Sequence, residues 1–269
     1  MKKILITGAG SGLGRGAALG LAKSGHRVIA SVQIWPQVTE LRQLAADLEL
    51  DQNVLVEKLD VLDPRDIEAA LQWDFDTFVS NAAIGDSGPM AEIPVDLVRR
   101  TFETNVFANL ELTQKIVRKF IAGGIKGRLV FMSSVGGFLT APGLGAYCAS
   151  KHAIEAIAAG LRDELASHNI AVQTINPGPF LTGFNDRMGE STFKWLDESR
   201  NFSKAADLRA NFAHIMQGQF DPQDMIDKMV AVIGAEDGFY RNVWPPQTEL
   251  LIKQVQARDW TRNFQEATA

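Results

Sequence analysis

Lys3-Ile4-Leu5-Ile6-Thr7-Gly8-Ala9-Gly10-Ser11-Gly12-Leu13-Gly14 is the stretch on which the fold turns. A short apolar, β-branched run ends in a cluster of glycines. Residues 13–23 then carry an apolar stripe of helical period, and Gly25 follows where a helix would stop. The glycines sit between a strand and a helix. There they let the backbone turn tightly and approach an anionic group, while the helix N-terminus offers free N–H groups and the positive end of its dipole. The spacing does not meet G-x-G-x-x-G from Gly8, because Leu13 occupies the third glycine position. An ordinary glycine turn would look much the same, so the placement carries more than the glycines do.

The same alternation continues along the chain. Strands are expected at residues 3–7, 27–31, 54–59, 77–80, 128–133 and 171–175, with a last one near 248–252 followed by a polar tail. Several are apolar on both sides of the pleat, as parallel strands covered on both faces require. Helices are expected between them, at 36–48 (opening on Pro36) and after Asp63-Pro64 and Ile93-Pro94. Two long ones are expected at 95–121 and 145–168, and another at 222–235. The pattern gives one doubly wound α/β domain over residues 1–269, with a mostly parallel central sheet and helices on both faces. Residues 183–220 break the rhythm. They mix charges with Phe184, Met188, Phe193, Trp195, Phe202, Phe212 and Met216, and are expected to form a lid over a ligand crevice or a packing flap.

Composition bounds the function. The 269 residues are 46% hydrophobic, ample for a core, and the net charge is −5 with no basic stripe, which argues against nucleic acid. No apolar run approaches membrane-spanning length. The apolar stretch after Lys2-Lys3 is too short for a signal peptide, so a cytoplasmic protein is expected. Cys148 is the only cysteine and cannot form an internal disulfide; with four scattered histidines, no metal site is expected.

A second motif carries the chemistry. In Tyr147-Cys148-Ala149-Ser150-Lys151, positions i and i+4 share a helix face, so Tyr147 and Lys151 can point into one site. A phenol's pKa near 10 is too high for an efficient base at neutral pH, and a nearby ammonium would lower it. Taken alone, Tyr-x-x-x-Lys also fits a plain amphipathic helix. Ser134 stands thirteen residues before Tyr147, at the end of a strand, where open α/β sheets bind ligands. Ser133 is adjacent and is expected to serve the turn.

Together these motifs resemble the classical short-chain dehydrogenase/reductases, NAD(P)-dependent oxidoreductases with a Rossmann-type fold. The resemblance runs from residue 2 to about 182. It implies a dinucleotide site made of Thr7, Gly8, Gly10, Ser11, Gly12, Leu13 and Gly14, with Asp60-Val61 at the adenine. It adds Asn81-Ala82-Ala83, where Ala83 departs from the family's glycine, and Pro177, Gly178, Phe180 and Thr182 near the nicotinamide. The family's catalytic set maps onto Ser134, Tyr147, Lys151 and Asn105. Lys151 would also bond the nicotinamide ribose, and Asn105 would position a proton-relaying water from a disrupted helix turn. Asp60, Asn81 and Asn105 could equally be turn or buried helix residues satisfied by backbone.

Cofactor choice turns on the end of the second strand. Spacing puts Val32 where an acidic residue would bind the NAD 2′-hydroxyl, and Gln33 where an arginine would bind the NADP phosphate. Arg15 is expected to face solvent. A phosphate without a cation loses more than a hydroxyl without an acceptor, which favours NAD(H) over NADP(H). The resemblance implies hydride transfer between the cofactor and a secondary alcohol or ketone. Within the family the chain looks most like relatives that act on steroids, retinoids or other bulky apolar alcohols. It also implies a homodimer or homotetramer built through the two long helices. A non-catalytic dinucleotide sensor on the same fold is the alternative.

Overall fold

The computed structural model describes residues 1–263; the last six residues of the span expected as one domain lie outside it. Seven parallel strands form one sheet in the order β3-β2-β1-β4-β5-β6-β7. These are β1 (Lys3–Ile6), β2 (Arg27–Val32), β3 (Val54–Lys58), β4 (Thr77–Ser80), β5 (Arg128–Met132), β6 (Ala171–Pro177) and β7 (Arg241–Trp244). The order reverses between β1 and β4. The loops leaving these two strands diverge, which opens a crevice at the carboxyl ends.

The alternation along each strand explains the two layers. Ile4, Ile6, Val28, Ala30 and Val130 face one core, shared with α1 (Gly12–Lys23), α2 (Trp35–Asp47) and α9 (Pro222–Gly234). Leu5, Ile29, Phe78, Leu129 and Phe131 face the other, against α3 (Pro64–Ala70), α5 (Asn109–Ala122) and α6 (Gly145–Leu165). The inner strands β1, β2, β4 and β5 are thus buried on both sides, as parallel strands covered by helices on both faces require. On α1, Gly16 and Gly20 lie under Ile226 and Val230 of α9; side chains there would collide with both.

Two expectations are corrected. Residues 248–252 are not a strand but part of α10 (Pro246–Asp259), and the seventh strand lies just before it. Pro246 in the first helical turn takes the apolar run Leu250-Leu251-Ile252 into a helix, where only Ile252 is buried. The expected long helix from residue 95 is α4 (Val95–Phe102) and α5 joined by a π-helical turn, Glu103–Ala108. The turn is the disrupted helix anticipated around Asn105.

The irregular segment contains α7 (Phe184–Ser191), the turn Thr192–Lys194 and α8 (Ala205–Met216). Its two ends meet: Leu181 N–H donates to the Phe220 carbonyl (3.0 Å) and Phe220 N–H to the Pro179 carbonyl (2.9 Å). It is therefore an excursion from one point on the sheet's rim, and it packs over the loop after β4. There Ser87 Oγ contacts Thr192 Oγ1 at 2.6 Å, and the Trp195 indole donates to the Ser87 carbonyl at 3.2 Å. The same loop is held from below by buried Asp86, paired with Arg100 at 2.5 Å and bonded by Thr101 at 3.1 Å. No described helix is long and apolar enough to cross a membrane.

Candidate active site

One cavity of about 740 Å³ runs along the carboxyl ends of the strands, from the glycine loop to Tyr147 and the lid segment. Gly8, Gly10, Ser11, Gly12, Leu13 and Gly14 line one end. Asn81 stitches this loop to β4. Its amide donates to the Thr7 and Gly8 carbonyls at 2.8 and 3.2 Å, while Thr7 Oγ1 accepts from Asn81 and Ala82 N–H at 3.0 Å each. A Cβ on Gly8 would stand 2.8 Å from Ala82 Cα, and Gly8 has φ +69°, so glycine is required twice over. Thr7 is fully buried and not on the wall; it acts through these bonds. Asn81 both anchors the turn and, with Ala82 and Ala83, faces the cavity.

The next part of the wall is made by Gln33, Gln37, Asp60 and Val61. Val32 is fully buried beneath them, so it offers no polar atom. Asp60 accepts from the Gln33 amide at 3.3 Å and from Leu62 N–H at 3.0 Å. Gln37 Oε1 accepts from Gln33 N–H and Ile34 N–H at 3.1 and 3.3 Å. This closes the start of α2 and sets the Gln37 amide nitrogen beside Gly10. Arg15 is tied to Glu40 at 2.9 Å.

At the other end the structure brings Ser134, Tyr147 and Lys151 onto one wall. Gly136 N–H donates to Ser134 Oγ at 3.0 Å, and the Ser134 hydroxyl donates to the Pro177 carbonyl at 3.5 Å, near enough to the Tyr147 phenol to work against the rise of its pKa. Ser133 Oγ lies against Gly137, 2.7 Å from where a Cβ would stand, although Ser133 too borders the cavity. The Tyr147 ring rests on Phe184 of α7 at 5.7 Å between centroids. Lys151 lies one helical turn on, its Nζ 5.7 Å from the Tyr147 ring centre and bonded to the Met132 carbonyl at 2.7 Å. Burial pushes the phenol up to about 12, against the opposing hydrogen bond from Ser134. The shift runs opposite to the downward one expected: desolvation dominates, and the Lys151 ammonium is turned to the Met132 carbonyl. Burial brings Lys151 down to about 8, with the Glu155 carboxylate opposing.

Asn105 sits in the π turn, off the cavity wall. Its side chain exchanges two bonds with Ile84 (2.9 Å each) and donates to Ser150 at 3.0 Å. Pro177, Gly178, Phe180 and Thr182 line the wall where β6 ends. Thr182 packs on Gly12, 3.4 Å from where a Cβ would stand. The lid end is mostly apolar, with Leu139, Leu144, Phe184, Met188, Ile215 and Met216 beside Asn185 and Arg187.

This architecture has close relatives. The family model described as short chain dehydrogenase matches residues 2–192. The chain is 33% identical over 193 residues to the uncharacterized oxidoreductase YbbO of Escherichia coli, covering 71% of this chain and 70% of the relative. It is 32% identical over 192 residues to D-erythrulose reductase of Gallus gallus, covering 67% of this chain and 72% of that protein. The chain belongs to the short-chain dehydrogenase family. A short-chain dehydrogenase/reductase from Burkholderia phymatum in complex with NAD shares the fold at 20% identity, with a TM-score of 0.80 over 100% of this chain and 98% of its own. One from Sphingobium yanoikuyae in complex with NADPH does so at 22% identity and a TM-score of 0.73, over 100% and 99%.

The residues of this short-chain dehydrogenase fit a nicotinamide dinucleotide. No side chain caps the first N–H groups of α1, which open onto the cavity beside glycines that leave room for a diphosphate. Sequence reasoning missed Gln37 and Arg187 on the wall, and the buried Glu155 behind Lys151. Glu155 bonds the Asn176 amide at 2.6 Å and Arg241 at 3.3 Å. Its i+4 spacing from Lys151 was the available signal; Gln37 stands likewise four residues beyond Gln33.

Proposed function

We propose that this short-chain dehydrogenase transfers a hydride between a nicotinamide cofactor and the carbonyl or carbinol carbon of a bulky apolar substrate. The observation that carries the reading is that Ser134, Tyr147 and Lys151 share a wall with the glycine loop inside a single cavity. The bound nicotinamide would supply or accept the hydride. Ser134 hydrogen-bonds the substrate oxygen. Tyr147 donates its proton to that oxygen during reduction and takes it back during oxidation. Lys151 holds a positive charge near the phenol and would bond the nicotinamide ribose, while Asn105 keeps the π turn fixed against Ile84. The substrate enters under the segment 183–220, which acts as a lid; its apolar lining excludes water from the reacting oxygen.

NAD(H) is the favoured cofactor. The wall near the expected adenosine ribose carries the Gln33 and Gln37 amides and the Asp60 carboxylate. A ribose hydroxyl can bond all three, whereas a 2′-phosphate would meet Asp60 with no described cation lining that end. We place the protein in the cytoplasm as a homodimer or homotetramer assembled through the two long helical segments, whose Phe107 is 56% exposed. A panel of aliphatic, aryl and polycyclic ketones, assayed with NADH and NADPH, tests the reading. Turnover is expected to be highest on bulky apolar ketones, with kcat/KM larger for NADH. Tight dinucleotide binding with no turnover on any ketone or alcohol would instead make the chain a sensor.

A further inference from the structure

The cavity has few cations. Among the described residues its wall carries three, Arg100, Lys151 and Arg187. Arg100 is spent on the buried Asp86 carboxylate, with contacts of 2.5 and 3.2 Å. Lys151 belongs to the phenol end. Arg187 differs from both: no described carboxylate lies within ion-pair distance, and its guanidinium donates no hydrogen bond to a described residue. Its backbone N–H donates to the Gly183 carbonyl at 3.2 Å. On the same helix, Asn185 is engaged with Gln219 at 2.8 Å and Glu190 with Arg209 at 3.3 Å, while the exposed Asp186 makes no ion pair with Arg187.

Its position is specific. Gly183 has φ +75°, and Arg187 Nη1 lies 3.2 Å from the point a Cβ there would occupy. The residue before it, Thr182, is the one packed against Gly12 of the glycine loop. The guanidinium therefore rests over the seam between the lid and that loop. On the loop side, a diphosphate would meet neutral N–H donors and a helix dipole, since Arg15 is neutralised by Glu40.

We propose that Arg187 clasps the dinucleotide's diphosphate from the lid side, supplying the cation that the glycine loop lacks. A guanidinium offers two parallel N–H donors to phosphate oxygens, and such charge-assisted pairs are among the stronger hydrogen bonds. Arg187 and the Phe184 that packs on Tyr147 share this helix, so one short helix touches both the cofactor and the substrate end. The proposal rests on the reading of the cavity as a dinucleotide site.

The test is a fluorescence titration of NADH and NADPH into wild type, Arg187→Ala and Arg187→Lys at low and moderate salt. Arg187→Ala is expected to raise Kd about tenfold for both nucleotides and to flatten the salt dependence, with Arg187→Lys between. Adenosine, which carries no phosphate, should bind all three proteins alike. A Kd for Arg187→Ala within about twofold of wild type overturns the proposal. So does an unchanged Kd with a KM raised only for carboxylated ketones, which would assign the guanidinium to an anionic substrate. Wild type that binds neither nucleotide overturns the dinucleotide reading itself.

Discussion

Tyr147→Phe is expected to lower kcat by about 10²–10⁴-fold, the range for a positioned acid–base group, while NADH affinity stays within about a factor of two. The ring keeps its packing on Phe184 and only the hydroxyl beside Ser134 is lost. Steady-state kinetics with a parallel nucleotide titration separate the two effects. The pH dependence of each direction follows from the same group. A phenol pushed up to about 12 is protonated throughout neutral pH, so it stands ready to donate to a carbonyl oxygen. Oxidation needs the phenolate, and its rate should climb with pH across the neutral and mildly alkaline range. Turnover retained in the phenylalanine variant would remove Tyr147 from the chemistry.

Lys151→Met should cost a similar factor in kcat and should also weaken cofactor binding, because the ammonium serves both the phenol and the ribose. Its pH dependence has a definite sign. Burial brings Lys151 down to about 8, so the ammonium is present below that pH and is lost as pH rises through it. Reduction by wild type is therefore expected to hold steady at neutral pH and to fall above about 8. A guanidinium keeps its charge over this range, so Lys151→Arg should recover part of the rate and lose that alkaline fall. A profile that falls near 8 in both proteins would assign the titration to another group.

Much of this site was legible before the coordinates because local chemistry and topology agree there. The glycines of residues 8–14 need a tight turn, Tyr147 and Lys151 need only helical spacing, and Ser134 needs only a strand end. Strands β1 to β6 are legible within about two residues because most carry short β-branched apolar runs, several of them buried on both faces. The seventh strand was not legible. Arg241-Asn242-Val243-Trp244 is short and half polar, since β7 pairs only with β6 at the sheet edge, whereas the nearby Leu250-Leu251-Ile252 imitates a strand inside a helix. The direction of the Tyr147 shift was also hidden. Spacing reveals that an ammonium is near, but not that it is turned to the Met132 carbonyl. Long-range partners such as Arg241 with Glu155, or Asp86 with Arg100, leave no periodic trace in the sequence.

The account holds that the nicotinamide C4 and the Tyr147 hydroxyl act on the same carbonyl in one cavity. The most direct measurement is to supply NADH deuterated at the transferring position of C4 with a ketone that the enzyme reduces, and to locate the label in the alcohol. The account predicts deuterium on the carbinol carbon with wild type, and labelled alcohol formed at least about a hundredfold more slowly with Tyr147→Phe. Alcohol formed without the label, or labelled equally well by the phenylalanine variant, would contradict it.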